Sequence, residues 1–420
     1  MLNPIPVLLS LLPASIASGL PREEPSSPLL TLYVAHQKRG ILTYAFNASK
    51  TASESLTILG TTDAGHKPGW LHACGDRLYA VSRDQFLDET DVSGGLFAFS
   101  KAAGSSGSGS NNGSGSPWDL ISSDSSGGQG GVYCDISRDG RTLAAANIDG
   151  STVSVHPILP FGSIGAASYN NPHAASFDPS GRYMLAPDRG ADLVYVYSVD
   201  GPECVEPLMN ITVLPDTGPR HVTFRVFNNT RTFAYLVGEL DNTVSVYTLD
   251  GVENSHKSNR VGTAPLSVTF IQRASTLQPG AVSSDPDNIN VAAEVVLSTD
   301  GRFACVSNRN TVSYDSDTLA VYAVNLAADS SPMSTDPSSS KEEHLTFLGL
   351  QATYSKIPRH FSLSPDENNR YVAVGNEVSN GLVIMERDAQ TGFMGAVVAN
   401  LTLGDFDLKQ EEGPMAVIWA

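Results

Sequence analysis

Ala175-Ser176-Phe177-Asp178-Pro179-Ser180-Gly181-Arg182 runs into Tyr183 to Ala186 and, after a polar loop, into Leu193 to Tyr197. Small and apolar residues, an Asp/Gly/Arg turn and two strands rich in Val, Tyr and Ala make one antiparallel unit. The unit recurs. Cys134 to Arg141 leads to Leu143 to Asn147 and Ser151 to His156. Further copies are His221 to Phe224 with Thr232 to Gly238 and Thr243 to Leu249, and Val295 to Arg302 with Phe303 to Ser307 and Thr318 to Val324. Phe361 to Pro365, Tyr371 to Gly375 and Gly381 to Arg387 form another, and Trp70 to Ala73, Arg77 to Ser82 and Gly95 to Phe99 a looser one. The seventh is split, with Gly413 to Ile418 opening it and Leu30 to Ala35 and Ile41 to Phe46 continuing it. The expected fold is all-β, a seven-bladed β-propeller with four antiparallel strands per blade and a ring closed by strands from both termini.

Outside the repeats, residues 1–19 read as a signal peptide, with an apolar run from Ile5 to Leu12 and small residues from Ala14 to Gly19. The run is too short to span a bilayer, and no later stretch is long enough. Residues 20–420 are expected to form one propeller domain. Two polar segments, 103–131 and 327–343, read as flexible loop insertions, because blade copies resume on both sides. Sequons at Asn47, Asn112, Asn210, Asn228 and Asn400 agree with a secreted, extracellular or wall-associated glycoprotein. Cys74, Cys134, Cys204 and Cys305 allow three disulfide pairings in an oxidising compartment, or stay as thiols.

With 26 Lys and Arg against 44 Asp and Glu, the net charge is −18, which repels phosphate backbones and anionic membranes. Nucleic acid is therefore excluded as a partner, whereas a small anion can still bind where Arg residues converge.

Antiparallel geometry predicts such a place. The first residues of inner strands and the last residues of second strands share one mouth of the ring. The first set holds His173, Arg220 with His221, Glu294, and Arg359 with His360. The second holds Asp188 with Arg189, Glu239, Asn308 with Arg309, and Asn376 with Glu377. His66, Lys67 and Trp70 are expected at the rim. Clustered Arg residues clamp carboxylates and stabilise oxyanions, while Glu and His move protons. The bland counterpart is an Arg–Glu pair that only laces blades, or a His that only satisfies backbone groups. No Gly-x-Ser-x-Gly, His-Glu-x-x-His or phosphate-binding Gly-rich loop occurs.

Asn171-Pro172-His173, Gly218-Pro219-Arg220-His221, Gly238-Glu239-Leu240-Asp241-Asn242, Ala292-Ala293-Glu294, Ser307-Asn308-Arg309 and Pro358-Arg359-His360-Phe361 stand in an order that resembles the seven-bladed lactonase propellers. That family includes 6-phosphogluconolactonase-like bacterial proteins and fungal 3-carboxy-cis,cis-muconate lactonizing enzymes. The resemblance covers nearly the whole mature chain. It implies a catalytic set of His173, Arg220, Glu239 and Arg309; from their place at the same mouth, His221, Glu294, Arg359 and His360 are candidates to bind substrate or support that set. It implies no metal and no cofactor. Arg220 and Arg309 would hold substrate carboxylates and stabilise an enolate-like intermediate, and Glu239 and His173 would transfer protons.

The activity expected first is cyclisation of a small polycarboxylate of the carboxymuconate type, by an intramolecular lyase. The alternatives are hydrolysis of a lactone and a non-catalytic secreted binding glycoprotein. A calcium-dependent propeller would need Glu239, Asn308 and Asn376 to meet at the axis, where the interspersed Arg residues repel a cation. The sequence leaves substrate and oligomeric state open.

Overall fold

The computed structural model describes residues 29–102, 116–166, 168–170, 175–252, 265–278, 280, 291–310, 316–325, 343–404 and 412–420. They form seven four-stranded antiparallel sheets. Blade 1 comprises His66–Cys74, Arg77–Asp84, Gly95–Lys101 and Trp118–Ser125. Blade 2 comprises Gly131–Ile136, Thr142–Asn147, Thr152–Pro157 and Ser168–Asn170. Blade 3 comprises Ser176–Phe177, Tyr183–Asp188, Leu193–Val199 and Val205–Thr212. Blade 4 comprises Pro219–Asn228, Arg231–Gly238, Thr243–Asp250 and Ser267–Ser275. Blade 5 comprises Val291–Leu297, Phe303–Arg309, Thr318–Val324 and Leu345–Ala352, and blade 6 Pro358–Leu363, Tyr371–Asn376, Gly381–Arg387 and Met394–Thr402. In blade 7, Pro414–Trp419 is the inner strand, beside Leu30–His36, Gly40–Phe46 and Leu56–Thr62. The split seventh copy and the expected ring closure are thus present.

The alternation of each second strand holds the ring together. Successive side chains of a strand point to opposite faces, and both faces here meet another blade. Phe233, Tyr235 and Val237 enter the core between blades 4 and 5, while Ala234 and Leu236 enter the core between blades 3 and 4. Tyr371 and Ala373 face blade 7, and Val372 and Val374 face blade 5. Such strands read as continuous apolar runs and not as polar/apolar alternation. Seven such cores lie between neighbouring blades. Burying a side chain the size of Phe361 or Leu42, both fully enclosed, stabilises by about 1.5–3 kcal/mol.

The Asp/Gly/Arg turns join first to second strands, on the face away from the mouth. Asp178 accepts hydrogen bonds from the amides of Ser180, Arg182 and Tyr183 at 2.9, 3.1 and 2.8 Å. Gly181 and Gly301, with φ of 73° and 68°, adopt the left-handed conformation these turns require. The turns build structure, as their recurrence implies.

The inner strands carry the feature that shapes the mouth. Their pairing with the second strands slips between Pro68 and Trp70, Gly131 and Tyr133, Pro219 and Val222, Ala292 and Val295, and Pro358 and His360. Each slip is a β-bulge, which adds unpaired residues to one strand and re-aims their side chains. The residues inside the slips include Arg220, His221, Glu294 and Arg359.

One expectation changes, one falls outside the described residues, and the cysteines take one of the states left open. Segment 103–131 is not all insertion. Trp118–Ser125 is the outer strand of blade 1 and Gly131 opens blade 2, while 103–115 lie outside the described residues. Outer strands face solvent, so Ser and Asp serve there and the composition mimics a linker. The second segment, 327–343, lies outside the described residues except for 343. No disulfide forms. Cys134 and Cys305 are buried thiols in separate inter-blade cores, and Cys74 and Cys204 are exposed thiols. Burial pushes the Cys305 thiol up to about 12.

Residues 1–28 and Asn112 lie outside the described residues. Asn210, Asn228 and Asn400 are exposed, and Asn47 is half-buried in a turn. Among the described residues, no helix is long and apolar enough to cross a membrane.

Candidate active site

Pro219 pairs with Gly238 and Val291 with Arg309, so entrances of inner strands and exits of second strands do meet at one mouth. There Glu239 stands among three guanidinium groups. Its Oε1 lies 3.2 Å from Arg189 Nε and 3.1 Å from Arg309 Nη2, and its Oε2 lies 3.5 Å from Arg220 Nε. The backbone fixes it as well, since the Glu239 amide donates to Gly218 O and its carbonyl accepts from the Ala292 amide. Arg309 Nη2 also donates to Ala292 O at 3.1 Å. Beside this cluster, Arg359 Nη1 lies 3.5 Å from Glu377 Oε2, and Gln37 donates to Glu377 Oε1 at 3.0 Å.

Positive charge is in excess here. Arg189, Arg220, Arg309 and Arg359 face Glu239 and Glu377, with Glu294 beyond Arg220, and among the described residues the buried Nε–H groups of Arg189, Arg220 and Arg309 have no acceptor in hydrogen-bond geometry. Burial alone would raise the Glu239 carboxyl, but Arg220, Arg309, Arg189 and Arg359 hold it at about 2. Burial lowers Arg220 to about 9, with Glu239 opposing and Arg309 and Arg359 adding to the fall. The two partners differ in what the site does for them. The carboxylate gains from three cations, whereas the guanidinium has one close anion and like-charged neighbours. Both groups are ionised at neutral pH. An arrangement that is cationic, buried and short of acceptors is completed by an anion.

A depressed folded-state value for Glu239 adds stability that is fully present above its ordinary 4.5 and is lost as pH falls towards 2. The shift corresponds to about 3 kcal/mol. Urea unfolding of wild type and Glu239→Gln is expected to show a gap near neutral pH that closes as the pH falls through that window. A gap independent of pH would show that the carboxylate charge is not what stabilises the site.

A second cluster lines the channel next to the first. His221 Nδ1 lies 2.6 Å from Glu294 Oε2, and His360 Nε2 lies 3.7 Å from the same oxygen. Glu294 Oε1 accepts from the Val295 amide at 3.0 Å, and His360 Nδ1 accepts from the Val417 amide at 3.2 Å. The Trp70 ring packs edge-on against His221 and His360, with centroids 5.1 and 4.6 Å apart, and Tyr133 lies 5.3 Å from His221. Burial, partly opposed by Glu294, lowers His360 to about 4 and also lowers His221. Burial would raise Glu294, but His221, His360 and Arg220 hold it below its ordinary range.

Arg220, Glu239 and Arg309 therefore meet as the sequence implied. His221, Glu294 and His360 form a unit of their own, and Arg359 joins Glu377. His173 lies outside the described residues. Arg189 completes the Glu239 cluster and is missing from the set implied by resemblance, although it follows its second strand just as Glu239 does. Trp70, expected at the rim, stands among the channel histidines, and Tyr133 carried no sequence signal beyond its strand. His66 and Lys67 do line the rim, where a cavity of about 610 Å³ opens beside Gln37, Lys38 and Arg39. A second cavity, about 700 Å³, lies at Cys74, Arg77 and Arg141 on the opposite face and touches none of this chemistry.

A closed ring of seven blades that gathers guanidinium, carboxylate and imidazole groups at one end of its axis is a propeller built round an axial polar site. The chain belongs to the family described as Lactonase, 7-bladed beta-propeller, whose sequence model matches residues 29–406. It is 29% identical over 223 residues to an Arthroderma benhamiae protein named "Probable 6-phosphogluconolactonase", a match covering 53% of this chain and 48% of that one. The chain thus spans about half the length of that relative. It is 24% identical over 293 residues to 6-phosphogluconolactonase of Formosa agariphila, covering 65% of this chain and 71% of that one. Among solved structures, periplasmic gluconolactonase PpgL of Pseudomonas aeruginosa matches with a TM-score of 0.69 and 24% identity over 93% of this chain and 99% of that one. That likeness supports the fold.

Proposed function

We propose that this propeller hydrolyses a small anionic lactone, with 6-phosphogluconolactone the leading substrate class. The observation that carries the reading is the acceptor-poor guanidinium cluster of Arg189, Arg220 and Arg309 at the mouth of a lactonase-family ring. The names of the relatives favour ring opening over the ring closure that the carboxymuconate resemblance put first.

In this reading water adds to the ring carbonyl carbon, and the carbonyl oxygen becomes an oxyanion. Arg220 and Arg309 are the fixed donors that stabilise it, in a site that is already partly dry. The ring C–O bond then breaks and the product is a hydroxy acid. Glu239 holds the guanidinium groups apart and in register. With its carboxyl near 2 it is too weak a base to take a proton from water, so the proton-transfer role first expected of it passes to another group.

The test is acid release in a pH-stat from purified protein given 6-phosphogluconolactone, δ-gluconolactone and 3-carboxy-cis,cis-muconate in turn. Acid release from a lactone is the expected result. Loss of the muconate diene absorbance with inert lactones would return the activity to ring closure. Silence towards all three would leave a binding glycoprotein.

A further inference from the structure

Lactone hydrolysis needs a base for water, and the Glu239 cluster does not supply one. His66 and His72 also hold Nδ1 against carboxylates, those of Asp84 and Asp135, but His221 is the carboxylate-held imidazole that neighbours Arg220 in the chain. His221 sits inside the bulge of the blade 4 inner strand, beside Arg220. Its Nδ1 is held at 2.6 Å by Glu294, whose other oxygen is fixed by a backbone amide. That bond fixes the tautomer, with the proton on Nδ1 and the Nε2 lone pair free. No hydrogen bond engages Nε2 among the described residues.

We infer that His221 is the general base of this site, oriented by Glu294, and that Trp70 and Tyr133 fix the plane of its ring. The inference rests on the hydrolytic reading above. Nε2 takes a proton from water as the water oxygen bonds to the acyl carbon. The tetrahedral oxyanion then collapses, the ring C–O bond breaks, and the same proton passes to the departing ring oxygen. One water is consumed, one hydroxy acid forms, and His221 returns neutral.

The surroundings suit a base. The charged and titratable groups facing His221 are Glu294 from blade 5, His360 and Arg359 from blade 6, Tyr133 from blade 2 and Arg220 on its own strand. Burial and the two guanidinium groups outweigh Glu294 and hold the imidazole below its ordinary 6.5, neutral at pH 7. His360 has its Nδ1 occupied by the Val417 amide and so presents only an N–H towards Glu294. It is a positioning residue.

The experiment is steady-state hydrolysis by His221→Asn, His221→Ala and Glu294→Gln, beside Arg220→Ala. Asparagine keeps a donor for Glu294 but cannot take the proton. His221→Asn is expected to lose roughly 10²–10⁴-fold in kcat with little change in KM and a superimposable unfolding curve. Free imidazole should restore part of the rate in His221→Ala, which a purely structural role would not allow. The wild-type kcat/KM profile should show an acid limb below 6.5 that moves lower still in Glu294→Gln. If His221→Asn unfolds, the wild-type limb decides, and its absence overturns the assignment. If His221→Asn keeps its kcat while Arg220→Ala loses it, the histidine is not the base and the hydrolytic reading stands. A wild type inert towards every lactone overturns both.

Discussion

Removal of residues 414–420 is expected to leave a chain that does not fold. Pro414–Trp419 is the inner strand of blade 7, yet its three partner strands come from the other end of the chain. Met415, Ala416 and Val417 are completely buried and Trp419 nearly so. Val417 and Trp419 belong to the core between blades 6 and 7, while Ala416 belongs to the core between blades 7 and 1. Trp419 also packs on Phe46 at 5.7 Å and donates its indole N–H to Ser362 O at 3.2 Å. At about 1.5–3 kcal/mol for each large side chain, with both faces of a neighbouring strand uncovered, the loss is comparable with the whole 5–15 kcal/mol of a typical domain. Far-ultraviolet circular dichroism and a thermal scan of the truncated protein check this. A cooperative transition near the wild-type midpoint would show that six blades and an open edge suffice.

Arg220→Ala is expected to lower kcat/KM for the lactone by roughly 10²–10³-fold, the usual loss when one fixed oxyanion donor is removed. The protein should stay folded, since Glu239 keeps Arg189 and Arg309 at 3.2 and 3.1 Å. Arg220→Lys should recover little of the rate, because an ammonium lacks the planar fork of donors. Steady-state kinetics with an unfolding curve for each variant is the measurement. Full activity in Arg220→Ala would move the oxyanion contact to Arg309 or Arg189.

Much of this was legible in the sequence, for definite physical reasons. The second strands are buried on both faces, so Arg231–Gly238 and Tyr371–Asn376 stand out as apolar runs, and Gly in the turns fixes their spacing. Antiparallel pairing then puts Arg220, Glu239 and Arg309 at one end without further information. The outer strand Trp118–Ser125 was hidden because one of its sides faces water. Arg189 follows the pairing rule that revealed Glu239, but the family resemblance drew attention elsewhere. Trp70 was placed at the rim, and Tyr133 was missed, for another reason. Whether an inner-strand aromatic faces a core or the channel depends on the slips in register after Pro68 and Gly131, and composition carries no mark of a slip.

Those slips have a wider consequence. A strand in unbroken alternation commits its residues in advance, so exposing a different one to the axis would turn its neighbours out of their cores. A bulge separates the two duties. Below it, alternation serves the blades. Above it, the phase is reset and the residues answer only to the axis. Reactive groups at Arg220, His221, Glu294 and Arg359 can therefore be exchanged without re-sorting the walls, and one ring can carry unrelated chemistries on an unchanged frame.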